Sequence, residues 1–131
     1  MAELNYPDNC KYAKTDEWIR MDGDEAVIGI SDYAQNALSD VVFIELPAVG
    51  ASVRAGVKFG DVESTKAASE INAPVSGTIT AVNTMLEDAP DKINISPFDE
   101  AWMIKIRPND LAELDALMDA TAYKAYCEQR G

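Results

Sequence analysis

Apolar and polar residues alternate along this chain in short blocks, most of them the length of a strand. Trp18, Ile19 and Met21 precede Asp22-Gly23-Asp24, and Ala26 to Ile30 follow it. Asp-Gly between two apolar runs predicts a hairpin. Ser31 opens SDYAQNALS, where Tyr33, Ala34, Ala37 and Leu38 recur at helical spacing, so a short helix capped by Ser31 is expected. VVFIELP, from Val41 to Pro47, is an apolar strand closed by Pro47 and Gly50. Further extended pieces are expected at Val53 to Gly56, Lys58 to Ser64 and Ala67 to Ile71. TITAV resumes the pattern after Ala73-Pro74 and Ser76-Gly77.

The remaining stretches are less regular. Residues 1–14 read as a polar arm ending in Tyr12, and Leu86 to Glu100, with Pro90 and Pro97, as a loop with one helical turn. In WMIKIRP, Trp102, Ile104 and Ile106 alternate with Met103, Lys105 and Arg107, the period of a half-buried strand. After Pro108 the period becomes helical. Asp110 with Glu113 resembles a capping box ahead of Leu111, Leu114, Leu117 and Met118. Asp119 then caps a last helix carrying Tyr123, Tyr126 and Cys127. The expectation is one mainly β domain over residues 1–131, with small helices at its margins.

Composition narrows the function. In 131 residues, 11 basic side chains face 23 acidic ones, a net charge of −12. Such a field repels phosphate backbones and anionic membrane surfaces, so neither nucleic acid nor membrane is expected as a partner. The absence of histidine removes serine–histidine and cysteine–histidine nucleophiles and mixed Cys/His zinc sites, and no metal site is expected. Cys10 and Cys127, near opposite ends, read as reduced thiols, with a disulfide between them left open. The opening MAELNYPDN has neither the basic region nor the apolar run of a secretory signal, so a cytoplasmic protein is expected.

One residue stands apart. Lys66 lies in GDVESTKAAS between two strand-like runs, with Ser64, Thr65, Ala67, Ala68 and Ser69 around it, and Gly56 and Gly77 lie nearly equidistant from it. This reads as the tip of a protruding hairpin set between two glycine turns in a small β-sandwich. A lysine nucleophile would need burial or a cationic neighbour to lower its pKa, whereas Lys66 has Glu63 and Glu70 nearby. It is a poor nucleophile and a good attachment point. No catalytic residues are expected, and the chain reads as a carrier rather than an enzyme.

GISDYAQNALSDVVFIELPAVG, FGDVESTKAASEINAPVSGTITAVN and PFDEAWMIKIRP together resemble the H-protein family of the glycine cleavage system, over about Lys11 to Tyr126. The resemblance implies a flattened barrel-sandwich hybrid of the lipoyl/biotinyl type. It implies that lipoic acid is joined by an amide to Lys66, with Glu63, Ser64 and Ala67 read by the lipoate-attaching enzymes. A biotin carrier would show Ala-Met-Lys-Met where this chain has Ser-Thr-Lys-Ala. It further implies that the lipoyl arm takes an aminomethyl group from a pyridoxal-phosphate glycine decarboxylase. A tetrahydrofolate-dependent aminomethyltransferase then removes the one-carbon unit, and an FAD-dependent dihydrolipoyl dehydrogenase reoxidises the arm. Thr15, Glu17 and Glu70 match the family positions that shelter the arm in a cleft. A monomer is expected.

Three positions depart from the family pattern. Asp16 stands where His is usual before Glu-Trp, and Ser39 and Ala101 stand where glycine is usual. All three bear on partner fit and none touches the lysine tip. Two other functions stay open at this point. One is a lipoyl carrier for a different pathway, such as lipoate relay or sulfur metabolism. The other is an unmodified β-sandwich interaction module.

Overall fold

A computed structural model describes residues 3–130 of the chain. Its strands form two antiparallel sheets that do not close into a barrel, the architecture expected of a barrel-sandwich hybrid. In chain order, the elements are β1 (Lys11–Tyr12), β2 (Glu17–Asp22), β3 (Glu25–Ile30), α1 (Asp32–Leu38), β4 (Val41–Glu45), β5 (Ser52–Val53), β6 (Lys58–Ser64) and β7 (Ala68–Asn72). They continue with β8 (Gly77–Val82), α2 (Met85–Asp88), α3 (Lys92–Ile95), β9 (Ile104–Pro108), a 3-10 helix (Leu111–Ala116) and α4 (Ala120–Arg130). The larger sheet runs β1-β2-β3-β9-β8-β5 and the smaller β4-β6-β7.

The Asp-Gly hairpin forms where the pattern predicts it, with Asp22 opposite Glu25 and Gly23 at φ 65°. Side chains alternate across it. Ile19, Ala26 and Ile28 pack with Val53, Val75, Ile79, Ile104 and Ile106, while Trp18 and Val27 point to the other face and join Tyr12, Phe98, Tyr123 and Cys127. Trp18 is seated by a missing side chain. A Cβ on Gly29 would stand 2.8 Å from its indole atoms, and the indole N–H donates to Pro97 O at 3.0 Å. A third cluster binds the smaller sheet through Val41, Ile44, Val62 and Ile71 to Ile30, Leu86, Ile93 and Met103, and Phe59 packs against both this cluster and the Ile-rich one.

Four local expectations change. The N-terminal arm is not simply polar: Cys10 and Tyr12 are buried, and β1 adds an edge strand to β2. The Tyr12 ring stacks on Tyr123 with centroids 4.4 Å apart, a contact between chain ends that no local pattern encodes. The expected loop at 86–100 holds two short helices, because Leu86 and Ile93 are wholly buried in the cluster that binds the smaller sheet. Met103 does not face outward with Lys105. The strand starts at Ile104, and Met103 is completely buried, its N–H donating to Ile28 O at 2.8 Å. Finally, the capping box is half made. Asp110 accepts from the Ala112 N–H at 2.9 Å, but Glu113 reaches away from it to Ser76, accepting its N–H at 2.8 Å and its hydroxyl at 3.1 Å.

The glycine symmetry about Lys66 is also only partly a matter of turns. Gly56 does turn, at φ 78°, whereas Gly77 opens β8, where a Cβ would meet Arg107 O at 2.4 Å. Close strand approach, not turning, explains that glycine. Cys10 and Cys127 are buried free thiols. Among the described residues, no helix is long and apolar enough to cross a membrane.

Candidate functional site

The site is built on the β6–β7 hairpin, paired from Lys58 opposite Asn72 up to Glu63 opposite Ala68. Thr65, Lys66 and Ala67 make the exposed tip. Ser64 latches it. Its N–H donates to Ala67 O at 2.8 Å, and its hydroxyl oxygen accepts the N–H of Lys66 at 3.1 Å and of Ala67 at 3.0 Å. A serine here does what the backbone alone cannot, satisfying two amides that would otherwise face only water. The Thr65 N–H donates to Asp40 O at 2.9 Å, tying the tip to the segment between α1 and β4. Lys66 therefore sits on a braced turn rather than a loose one. Its own side chain makes no ion pair among the described residues.

Beside the hairpin lies a cavity of about 180 Å³, with Thr15, Glu17, Tyr33, Leu38, Glu70 and Arg130 among its walls. Larger hollows, about 540 and 520 Å³, lie around the N-terminal arm. They are more open than the smaller cavity and hold none of the predicted site residues, so the smaller one is the site of interest.

The structure brings Thr15, Glu17 and Glu70 together but gives them unlike surroundings. Glu70 is exposed on β7, opposite Asp61. Glu17 is 1% exposed. Its carboxylate accepts the Asn72 N–H at 3.0 Å and the Thr15 hydroxyl, pinning the start of β2 to the end of β7. Burial pushes its pKa up from 4.5 to about 7, against the pull of those two hydrogen bonds. Of the hairpin residues, Glu63 and Ala67 are exposed, and Ser64 is half-buried in the latch.

Two features of the site escaped sequence reasoning. Arg130 grips Asp16 with both nitrogens, at 2.6 and 3.0 Å, and lies over the rings of Tyr33 and Tyr126. The second is the Asp40 carbonyl that holds the tip. Neither leaves a local signal, since one spans the whole chain and the other uses a backbone atom.

A family model described as "Glycine cleavage H-protein" matches residues 10–130. The chain belongs to this family. A glycine cleavage system H protein of Geobacillus kaustophilus is 52% identical over 122 residues, covering 93% of this chain and 96% of the relative. A mitochondrial one from Oryza sativa subsp. indica is 49% identical over 122 residues, 93% of this chain and 74% of the relative. Among solved structures, a glycine cleavage system H protein from Mycobacterium marinum superposes with a TM-score of 0.83 at 37% identity, covering 95% of this chain and 98% of that one.

Against the H-protein pattern, the three departures now have surroundings. Ser39, at φ 66° and ψ −152°, occupies backbone space that suits glycine almost alone, which accounts for the usual residue there. Asp16 also has positive φ, 82°, and its carboxylate accepts the Tyr123 hydroxyl at 2.8 Å besides pairing with Arg130. Ala101 is buried, its N–H donating to Ser96 O at 3.0 Å.

Proposed function

We propose that this H-protein family member is a carrier whose Lys66 holds lipoic acid in amide linkage. The observation that carries this reading is an exposed lysine, without an ion pair among the described residues, on a braced tip beside a cavity lined by carboxylates. The residues fit the group. Ser64 and Asp40 fix the backbone from which the Lys66 amine projects, and the small side chains of Ala67 and Ala68 leave a modifying enzyme room to reach it. Glu70, on β7, is four residues on from Lys66, at most roughly 13 Å at a strand's rise per residue, within the span of a long flexible arm.

When bound, lipoate supplies a disulfide that accepts a one-carbon unit and two electrons together. The chain's own part is position and shelter. Leu38 and Ile30 give the cavity an apolar wall, while Glu17 and Glu70 place acceptors where a protonated amine would need them. Glu17 starts from a carboxyl close to half-protonated near neutral pH, so a cation beside it would draw it to the ionised form. Thr15 and the Asn72 N–H hold both of its oxygens in place throughout. On this reading the partners are a pyridoxal-phosphate glycine decarboxylase, a tetrahydrofolate-dependent aminomethyltransferase, an FAD-containing dihydrolipoyl dehydrogenase and the enzymes that attach lipoate. No reaction is assigned to the chain's own side chains.

Intact mass and peptide mapping of protein from lipoate-supplied cells test the attachment. Lys66→Arg should fold normally and carry no lipoyl group. Lipoyl mass at Lys58 or Lys92 of that variant would overturn the assignment. Reconstitution with the three glycine-cleavage enzymes separates this pathway from any other lipoyl route.

A further inference from the structure

β4 shows a departure from strand alternation that the carrier function does not itself require. Its residues run buried, exposed, exposed, buried, exposed from Val41 to Glu45. Simple alternation would turn Phe43 inward with Val41. A bulge between Val41 and Phe43 resets the register, so Val41 lies opposite Ser64 and Phe43 opposite Glu63. The result is that Val42 and Phe43 both stand in solvent, 55% and 47% exposed. Bulges of this kind re-aim side chains and concentrate beside functional sites.

The position of the bulge is what makes it informative. β4 pairs with β6, the strand that climbs into the lysine tip, and Asp40, just before β4, holds the tip through Thr65. Val42, Phe43 and Lys66 thus belong to one braced unit. Asp40, Glu45 and Glu63, all exposed, flank the two apolar side chains, so the patch has an acidic rim. An apolar centre with a charged rim is the usual anatomy of a specific interface.

We infer that Val42 and Phe43 are the docking patch for the enzyme that joins lipoate to Lys66, an acyltransferase presenting an apolar surface rimmed by Lys and Arg. This rests on the carrier reading above. That enzyme must bring the Lys66 amine against an activated lipoyl carbonyl. With a lipoyl-nucleotide mixed anhydride as donor, the new C–N bond forms as the C–O bond to phosphate breaks, the nucleotide leaves, and the amine sheds its proton. A rigid apolar foothold beside the tip lets one surface both bind and aim the lysine. The acidic rim selects a basic partner and speeds the encounter.

The test uses the full-length chain without its lipoyl group, together with a lipoate–protein ligase, lipoate and ATP. V42T/F43T puts β-branched threonine at both strand positions, and V49T/V57T, which alters two apolar residues exposed to a similar degree outside the strands, serves as the control. We expect V42T/F43T to raise the KM for the carrier about tenfold with kcat and melting temperature close to the parent, equivalent to about 1.4 kcal/mol of docking. The control should leave both constants unchanged. Normal modification of the parent with an unaltered KM for V42T/F43T would overturn the docking patch alone. No lipoyl mass on the parent would overturn the carrier reading and the patch with it. A parent that dimerises through these residues, as judged by sedimentation of the same variants, would assign the patch to a second copy of the chain and overturn the proposal.

Discussion

Arg130 donates to both carboxylate oxygens of Asp16, at 2.6 and 3.0 Å, across a sequence separation of 114 residues. The pair joins the end of α4 to the loop that enters β2, and Thr15 on that loop and Glu17 at the start of β2 both line the cavity. Asp16 also accepts the Tyr123 hydroxyl, and the same hydroxyl lies 2.6 Å from Ser31 Oγ. The substitution of Asp at a position where the family usually has His is thus matched by a cation at the other end of the chain.

Removing that cation should loosen the C-terminal helix. Arg130→Met keeps most of the aliphatic stem over Tyr33 and Tyr126 but leaves Asp16 without its partner. The pair is partly solvated, so a loss of about 1–2 kcal/mol is expected, lowering the melting temperature by roughly 3–8 °C. Thermal unfolding at low and high salt checks it, with the gap between parent and variant narrowing as salt rises.

Glu17 predicts a pH dependence of definite sign. Its folded pKa of about 7 lies above the 4.5 of an ordinary glutamate, so the folded state holds the proton more tightly than the unfolded one. The cost of burying the ionised form is absent below about pH 4.5, grows as pH rises, and is complete above about pH 7. Glu17→Gln has no charge to bury, and its amide oxygen still accepts the Asn72 N–H. The stability difference, variant minus parent, should therefore grow by about 2–4 kcal/mol between pH 4.5 and 7. Denaturant unfolding of both chains at intervals across that window measures it, and the other carboxylates cancel in the difference. A flat difference would show that Glu17 titrates like a solvated glutamate.

Ser39 is the opportunity for a stabilising change. Its φ of 66° and ψ of −152° strain any residue with a Cβ, and no hydrogen bond from its hydroxyl offsets that strain among the described residues. Ser39→Gly relieves the strain at the cost of a more flexible unfolded chain, for a net gain of about 1 kcal/mol. Chemical denaturation reads the shift directly, and a destabilised glycine variant would mean that the strain is not real.

The latch at the hairpin tip should be visible without any partner. Ser64→Ala deletes the hydroxyl that accepts the Lys66 and Ala67 amides. Global stability should barely change, because the tip is exposed, but amide hydrogen exchange at Lys66 and Ala67 should quicken about five- to tenfold, equivalent to roughly 1 kcal/mol of local protection. Residue-resolved exchange by NMR distinguishes this from a general loosening, which would also speed exchange at Val62 and Ile71.

Much of this protein is written in short-range pattern. Asp-Gly between apolar runs sets the β2–β3 hairpin, Ser31 caps α1 by accepting the Ala34 N–H, and the alternation of Ile104 and Ile106 marks β9 as a core strand. The motif around Lys66 identifies both the tip and the family, because small flanking residues and a turn serine are local requirements of the tip itself. What the pattern could not reveal depends on residues brought together from distant parts of the chain. Tyr12 looks like the end of a polar arm until Tyr123 stacks on it, and Glu113 looks like a cap until Ser76 is beside it. Glu17 reads as one acidic residue among many, and only the packing of β2 against the end of β7 strips its water and raises its pKa. The outward turn of Phe43 follows from a bulge that neither β4 nor β6 specifies alone. Periodicity records which face of an element is apolar; burial, ion pairing and register depend on what the rest of the chain lays against that face.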